Sequence, residues 1–193
     1  NIGNHALYLS NVSGATVHAF EPNVHLCNAM EASVGWNKRH IDIHCVGVAA
    51  TSGVAKFSNT DPTNLGAQSL AIESINSSES DDLITLMALD EFEWDKPVKL
   101  IKIDVEGMER LVLAGASRLL DRDRPTLYIE CQTKEDFCLI NDFLNARGYI
   151  YCKTFNATPT HAFIHHESIC YPRDVSDFLI EKALAHYSRI IEV

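Results

Sequence analysis

The stretch "KLIKIDVEGMERLVLAGA", residues 99–116, runs from an apolar segment into three carboxylates, Asp104, Glu106 and Glu109, set around Gly107. Asp104 follows directly on Ile103, where an apolar strand gives way to a turn. Carboxylates held at such a point can orient a hydroxyl, take its proton, or help to bind a cation. Lys102 lies two residues before Asp104 and therefore on the same strand face. If its ammonium reaches Asp104, that acid orients a group rather than acting as a base. Glu109 falls in the first turn of the following helix, where an acid complements the helix dipole.

A second chemistry-bearing segment is "NIGNH" at residues 1–5. Gly3 precedes a helix, and Glu21 ends the next strand, just before Pro22. That separation is close to the ~20 residues between a glycine turn and the acid that binds a ribose diol. A diol offers two donors, and an ionised carboxylate accepts both. Metal chemistry finds little support. His165 and His166 are adjacent on a strand, so their rings point to opposite faces and make a poor chelate. Asp104 and Glu106 alone would give a divalent cation few protein ligands. No metal is expected.

The elements that must position these groups alternate between strand and helix. Residues 3–11 read as a short helix, 15–21 as a strand and 23–36 as a helix. Residues 41–48, "IDIHCVGV", read as one further strand, and "GVAKFSN" as another extended segment. Residues 60–82 are polar and rich in Ser, Asn and Asp, which predicts one long loop. The strand 98–104 and a helix carrying Leu111, Val112, Leu119 and Leu120 follow. Then come the strand "PTLYIEC", a helix over 134–146 with Gly148 beyond it, and a hairpin formed by "YIYCKT" and "HAFIHH". The tail from 175 to 191 has an apolar side and reads as an amphipathic helix, docked on this domain or on a twin subunit in a homodimer. The alternation predicts an α/β fold with a doubly wound, mostly parallel sheet, in a single domain over residues 1–193. Such sheets bind ligands beyond the carboxyl ends of their strands, which is where Asp104 and Glu106 stand.

Bulk properties narrow the partners. With a net charge of −10 the chain lacks the basic excess that nucleic-acid binding needs, and the same charge disfavours an anionic membrane surface. No apolar run approaches the ~20 residues of a membrane-spanning helix, and no signal peptide is visible. The six cysteines form no C-x-x-C pair, so they read as reduced core residues of a cytoplasmic protein.

Taken together, "NIGNH", "FEPN", "VGVAATSG", "NLGAQSL" and above all "KIDVEGMERLVLAGA" resemble the FkbM family of S-adenosylmethionine-dependent methyltransferases. The resemblance extends over residues 1 to 131 and rests chiefly on the last motif. It implies the class I methyltransferase sheet, Rossmann-like, with an antiparallel last strand. It implies S-adenosyl-L-methionine as cofactor and, as acceptor, a hydroxyl of a small molecule, sugar or glycolipid. Asn1 to Gly3, with Asn4, match the end of the family's glycine loop around the methionine part of the cofactor. Glu21, followed by Pro22, matches the acid on the ribose, and Asp104 and Glu106 match the strand-end acids beside the transferable methyl. The family's first strand and its leading Asp-x-Gly are missing before Asn1, so residues upstream are expected. Ala50 stands where many members carry an acid, which leaves the adenine contact unassigned. Two other functions use parts of the same pattern: a nicotinamide-dependent oxidoreductase relying on Glu21, and a non-catalytic binding domain of methyltransferase fold. The first lacks a Tyr-x-x-x-Lys pair and gives the strand-end acids no role.

Overall fold

The computed structural model describes residues 1–38, 40–57, 70–71 and 83–168. The chain divides into two compact units, Asn1–Glu91 and Phe92–Val193.

In the first unit, α1 (Asn4–Ser13) lies between Gly3 and Gly14, both in the left-handed region. β1 (His18–Phe20), α2 (Val24–Trp36) and β2 (Asp42–His44) form a βαβ unit in which the two strands pair in parallel. The Asn23 side chain starts α2 by accepting the His25 N–H at 2.9 Å. Met30, Val34 and Ile41 are buried under this pair, with Ala6, Leu7, Val17, Ala19 and Ile43 packed against them. A second sheet contains β3 (Gly47–Val48), β4 (Gly53–Phe57), β5 (Leu70–Ala71) and β6 (Leu83–Met87) in the order β3-β6-β4-β5. β3 and β6 are parallel, whereas β4 runs antiparallel to both of its neighbours.

Three sequence expectations change here. Residues 41–48 are two strands rather than one. The Val46 N–H bonds to the His44 carbonyl at 2.9 Å, closing a three-residue turn that sends β3 to a different sheet from β2. Cys45 sits in that turn and is joined to Cys27 of α2 by a disulfide, which corrects the expectation that every cysteine is reduced. Cys131, Cys138 and Cys152 are free thiols. β5 falls inside the segment expected to be loop, and the rest of 60–82 lies outside the described residues. β6 also escaped the sequence reading, although Ile84 and Leu86 alternate with more exposed neighbours as a half-buried strand requires.

The second unit is a four-stranded sheet in the order β7-β8-β10-β9, from β7 (Leu100–Ile103), β8 (Thr126–Glu130), β9 (Tyr149–Phe155) and β10 (Thr160–His165). β7 and β8 are parallel; β10 is antiparallel to both β8 and β9. The segment expected as one helix is two, α3 (Glu109–Ala114) and α4 (Ser117–Asp123). Gly115 weakens the helix locally, and Ala116, at φ −113° and ψ 10°, leaves the helical region. α5 (Lys134–Asn145) begins at Thr133, whose hydroxyl accepts the Asp136 N–H at 3.1 Å. The tail helix expected over 175–191 lies outside the described residues. Among the described residues no helix is long and apolar enough to cross a membrane.

Phe137 of α5 is 1% exposed and meets the rings of Tyr151, His161 and Phe163 on β9 and β10. Truncating a core Phe removes its burial and leaves a cavity, so Phe137→Ala should cost ~3–5 kcal/mol. Urea unfolding checks this, and a loss below 1 kcal/mol would show that α5 does not anchor the sheet.

Candidate functional site

The parallel register pairs Ile103 of β7 with Ile129 of β8. The next residues, Asp104 and Glu130, therefore leave neighbouring strands side by side at their carboxyl ends. Lys102 Nζ lies 2.6 Å from Asp104 Oδ2, so the ammonium reaches the acid. After Asp104 the chain turns through two left-handed residues, Glu106 at φ 50° and Gly107 at φ 96°. This turn carries Glu106 towards Gln132, whose Nε2 donates to its carboxylate at 2.9 Å. Glu106 is thus engaged by an amide.

Glu109 is 5% exposed, and its carboxylate accepts the Gly107 N–H at 3.0 Å. Its place in the first turn of α3 is as expected, but its principal partner is the turn it helps to close. Burial pushes the Glu109 carboxyl above the usual range, against the pull of backbone N–H groups and with a small push from Asp136. Glu130, which the sequence reading passed over, is half-buried beside these groups. Burial first, and then the charges of Asp104, Glu106 and Glu109, push its carboxyl up, while Lys102 draws it down. The signal was present: "PTLYIE" ends in an acid as "KLIKID" does, and parallel pairing sets the two ends together.

In the first unit the loop before α1 and the end of β1 come together. Gly3 has φ 82°, and a Cβ there would lie 2.5 Å from Met30 Cγ of α2, so the chain passes too close to α2 for any side chain. Glu21 is 7% exposed at the end of β1. One of its oxygens accepts the Asn23 N–H at 2.9 Å, and the other is engaged by the nitrogen of Asn1. Asn4 opens α1 and is exposed, and Pro22 is half-buried. Among the described residues no group of three His, Cys, Asp or Glu side chains is arranged to hold a metal ion. Each histidine of the pair weighed as ligands has a local partner. His166 Nδ1 lies 2.8 Å from the Gly148 carbonyl, and His165 Nδ1 accepts the Glu167 N–H.

Residues 1–151 match the Methyltransferase FkbM domain. The chain belongs to the FkbM methyltransferase family. The fold agrees: a crystal structure of Methyltransferase FkbM from Methylobacillus flagellatus KT is similar with a TM-score of 0.61 and 18% identity. The similarity covers 85% of this chain and 41% of that one, so the chain spans about two-fifths of that protein. No curated protein matches the sequence. Within this FkbM domain, Asn1, Gly3 and Glu21 belong to the first unit and Asp104, Glu106 and Glu130 to the second.

Two outcomes follow from this geometry. Gly3→Ala combines a left-handed backbone, at about 1–2 kcal/mol for a residue with Cβ, with the Met30 overlap. Urea unfolding should show a loss above the backbone figure, and an unchanged midpoint would contradict the close passage. Glu109 gives a pH signature. Its folded carboxyl holds a proton more tightly than the unfolded one, so between the two values the native state carries more protons. Stability contributed by this group is therefore full below the ordinary 4.5 and is lost as pH rises through the higher folded value. Glu109→Gln should remove that fall, and equal slopes of stability against pH in the two proteins would refute it.

Proposed function

We propose that this chain carries an S-adenosylmethionine-dependent O-methyltransferase site acting on a hydroxyl of a small molecule, sugar or glycolipid. The observation that carries the reading is Glu21, a buried acid at the end of β1 next to the glycine turn at Gly3. An ionised carboxylate has about four lone-pair sites. The Asn23 N–H and the Asn1 nitrogen take two of them, which leaves acceptors for the two donors of a ribose diol. This donor set fits the cofactor. When bound, S-adenosylmethionine supplies an electrophilic methyl carried on a sulfonium.

The chain's own residues then have separable tasks. Glu21 binds the ribose, and the Asn23 N–H fixes its orientation. Gly3 lets the loop before α1 lie against α2 without a side chain between them. Lys102 holds Asp104, and Gln132 holds Glu106, so both acids present fixed acceptors for orienting a hydroxyl. Alignment of the reacting groups supplies much of the acceleration in a displacement of this kind. The net charge of −10 supports a hydroxyl-bearing acceptor over a nucleic acid.

Titration calorimetry with S-adenosylhomocysteine tests the reading. Glu21→Gln removes a charge and half of the accepting capacity, and loss of a charged hydrogen bond costs ~1.5–3 kcal/mol, or roughly 10- to 150-fold in affinity. Unchanged affinity in this variant, or tighter binding of NAD by the wild type, would reject it.

A further inference from the structure

We propose that the Cys27–Cys45 disulfide is a reversible thiol-exchange site, opened at Cys45 by a small thiol of the glutathione class, and that its oxidised form holds Glu21 in place for the cofactor. What Glu21 binds rests on the methyltransferase reading, and every group involved belongs to the first unit.

The two cysteines differ in access. Cys45 is exposed in the turn between β2 and β3, whereas Cys27 on α2 is 0% exposed. A thiolate from solvent therefore meets Cys45 and not its partner. Exposed disulfides are among the labile ones in thiol exchange. Cys131, Cys138 and Cys152 are free thiols, so the described part of the chain is not a scaffold in which every cysteine is paired.

The bridge closes on both supports of Glu21. Cys27 Sγ lies 3.1 Å from the Glu21 carbonyl, and the Cys27 N–H bonds to the Asn23 carbonyl at 2.9 Å. Asn23 is the residue whose own N–H holds the Glu21 carboxylate. On the other side, Cys45 directly follows His44, whose carbonyl accepts the Glu21 N–H at 3.1 Å. The disulfide thus ties the end of β2 to the start of α2, with Glu21 bonded to both. In the exchange, a thiolate bonds to Cys45 Sγ as the Cys27–Cys45 bond breaks. The electron pair of that bond leaves on Cys27 Sγ, which takes a proton from water. A second thiolate attacks the sulfur of the attached thiol, forming the small-molecule disulfide and releasing Cys45 as a thiolate. Two thiols are oxidised and one cystine is reduced. Opening removes the cross-link that keeps the two supports of Glu21 in register.

The test uses the full chain in buffers of reduced and oxidised glutathione, with S-adenosylhomocysteine as probe. The native protein should pass from disulfide to dithiol without denaturant, as read by alkylation and mass spectrometry. Calorimetry should show the reduced form binding S-adenosylhomocysteine ~5-fold or more weakly. Cys45→Ser should bind like the reduced form in every buffer. Linkage requires the converse: saturating S-adenosylhomocysteine should raise the quotient of reduced glutathione squared over oxidised glutathione at half-reduction by the same factor. Amide hydrogen exchange in the unliganded protein gives a second readout, since the Glu21 and Asn23 N–H groups should exchange faster once the bridge is open. A bridge that opens only in urea, equal or tighter affinity in the reduced form, or unchanged exchange at Glu21 and Asn23 would each overturn the proposal. Failure of both forms to bind S-adenosylhomocysteine would instead sink the cofactor reading, and amide exchange would still decide whether the bridge holds Glu21.

Discussion

Mutual repulsion among the carboxylates at the ends of β7 and β8 is the constraint that the second unit has to satisfy. Asp104, Glu106 and Glu109 all act on Glu130. Two unit charges about 7 Å apart at an effective dielectric of 20 repel by roughly 2 kcal/mol. Several such pairs would be a sizeable part of the stability of a small unit. The local structure answers with donors of three kinds: an ammonium from the same strand, an amide from the segment after β8, and the backbone N–H of the turn itself.

Each donor is delivered by an ordinary feature of secondary structure. Strand alternation puts Lys102 and Asp104 on one face, so their ion pair needs no special backbone. The left-handed pair at Glu106 and Gly107 redirects the chain, and Glu109 closes that turn while starting α3. The cost of left-handed φ at a residue with a side chain is met here because the Glu106 carboxylate gains Gln132 and the Gly107 N–H gains Glu109. Parallel pairing of β7 with β8 is what brings Glu130 beside the three acids of the turn after β7.

Much of this was legible in residue order. Strand-then-helix periodicity located β7, β8, α5 and the β9–β10 hairpin, because each has a uniform pattern bounded by Pro, Gly or a capping Thr. The acids Asp104 and Glu21 were legible because each stands at the end of an apolar run. What escaped depended on contacts between segments. The break between β2 and β3 is made by a hydrogen bond across Cys45, and the Cys27–Cys45 pairing joins residues 18 apart on different elements. Glu130 was passed over since its importance comes from register with Asp104, which no local window contains. The division of α3 from α4 turns on the φ and ψ of Ala116, a residue with the highest helix propensity, where tertiary packing overrode preference.

The first unit meets a related demand in a different way. A buried carboxylate at Glu21 needs donors of its own, and it takes one from the Asn23 N–H. Asn23 in turn uses its side chain to cap α2, and α2 carries Met30, the residue that forbids a Cβ at Gly3. One short segment, from Glu21 to Met30, therefore orients the acid, starts the helix and shapes the wall against which the glycine turn lies. The start of the helix and the Glu21 carboxylate are therefore both tied to one asparagine, the first through its side chain and the second through its backbone N–H. In the second unit Lys102, Gln132 and Gly107 divide the equivalent work among separate residues, donating to Asp104, Glu106 and Glu109 in turn.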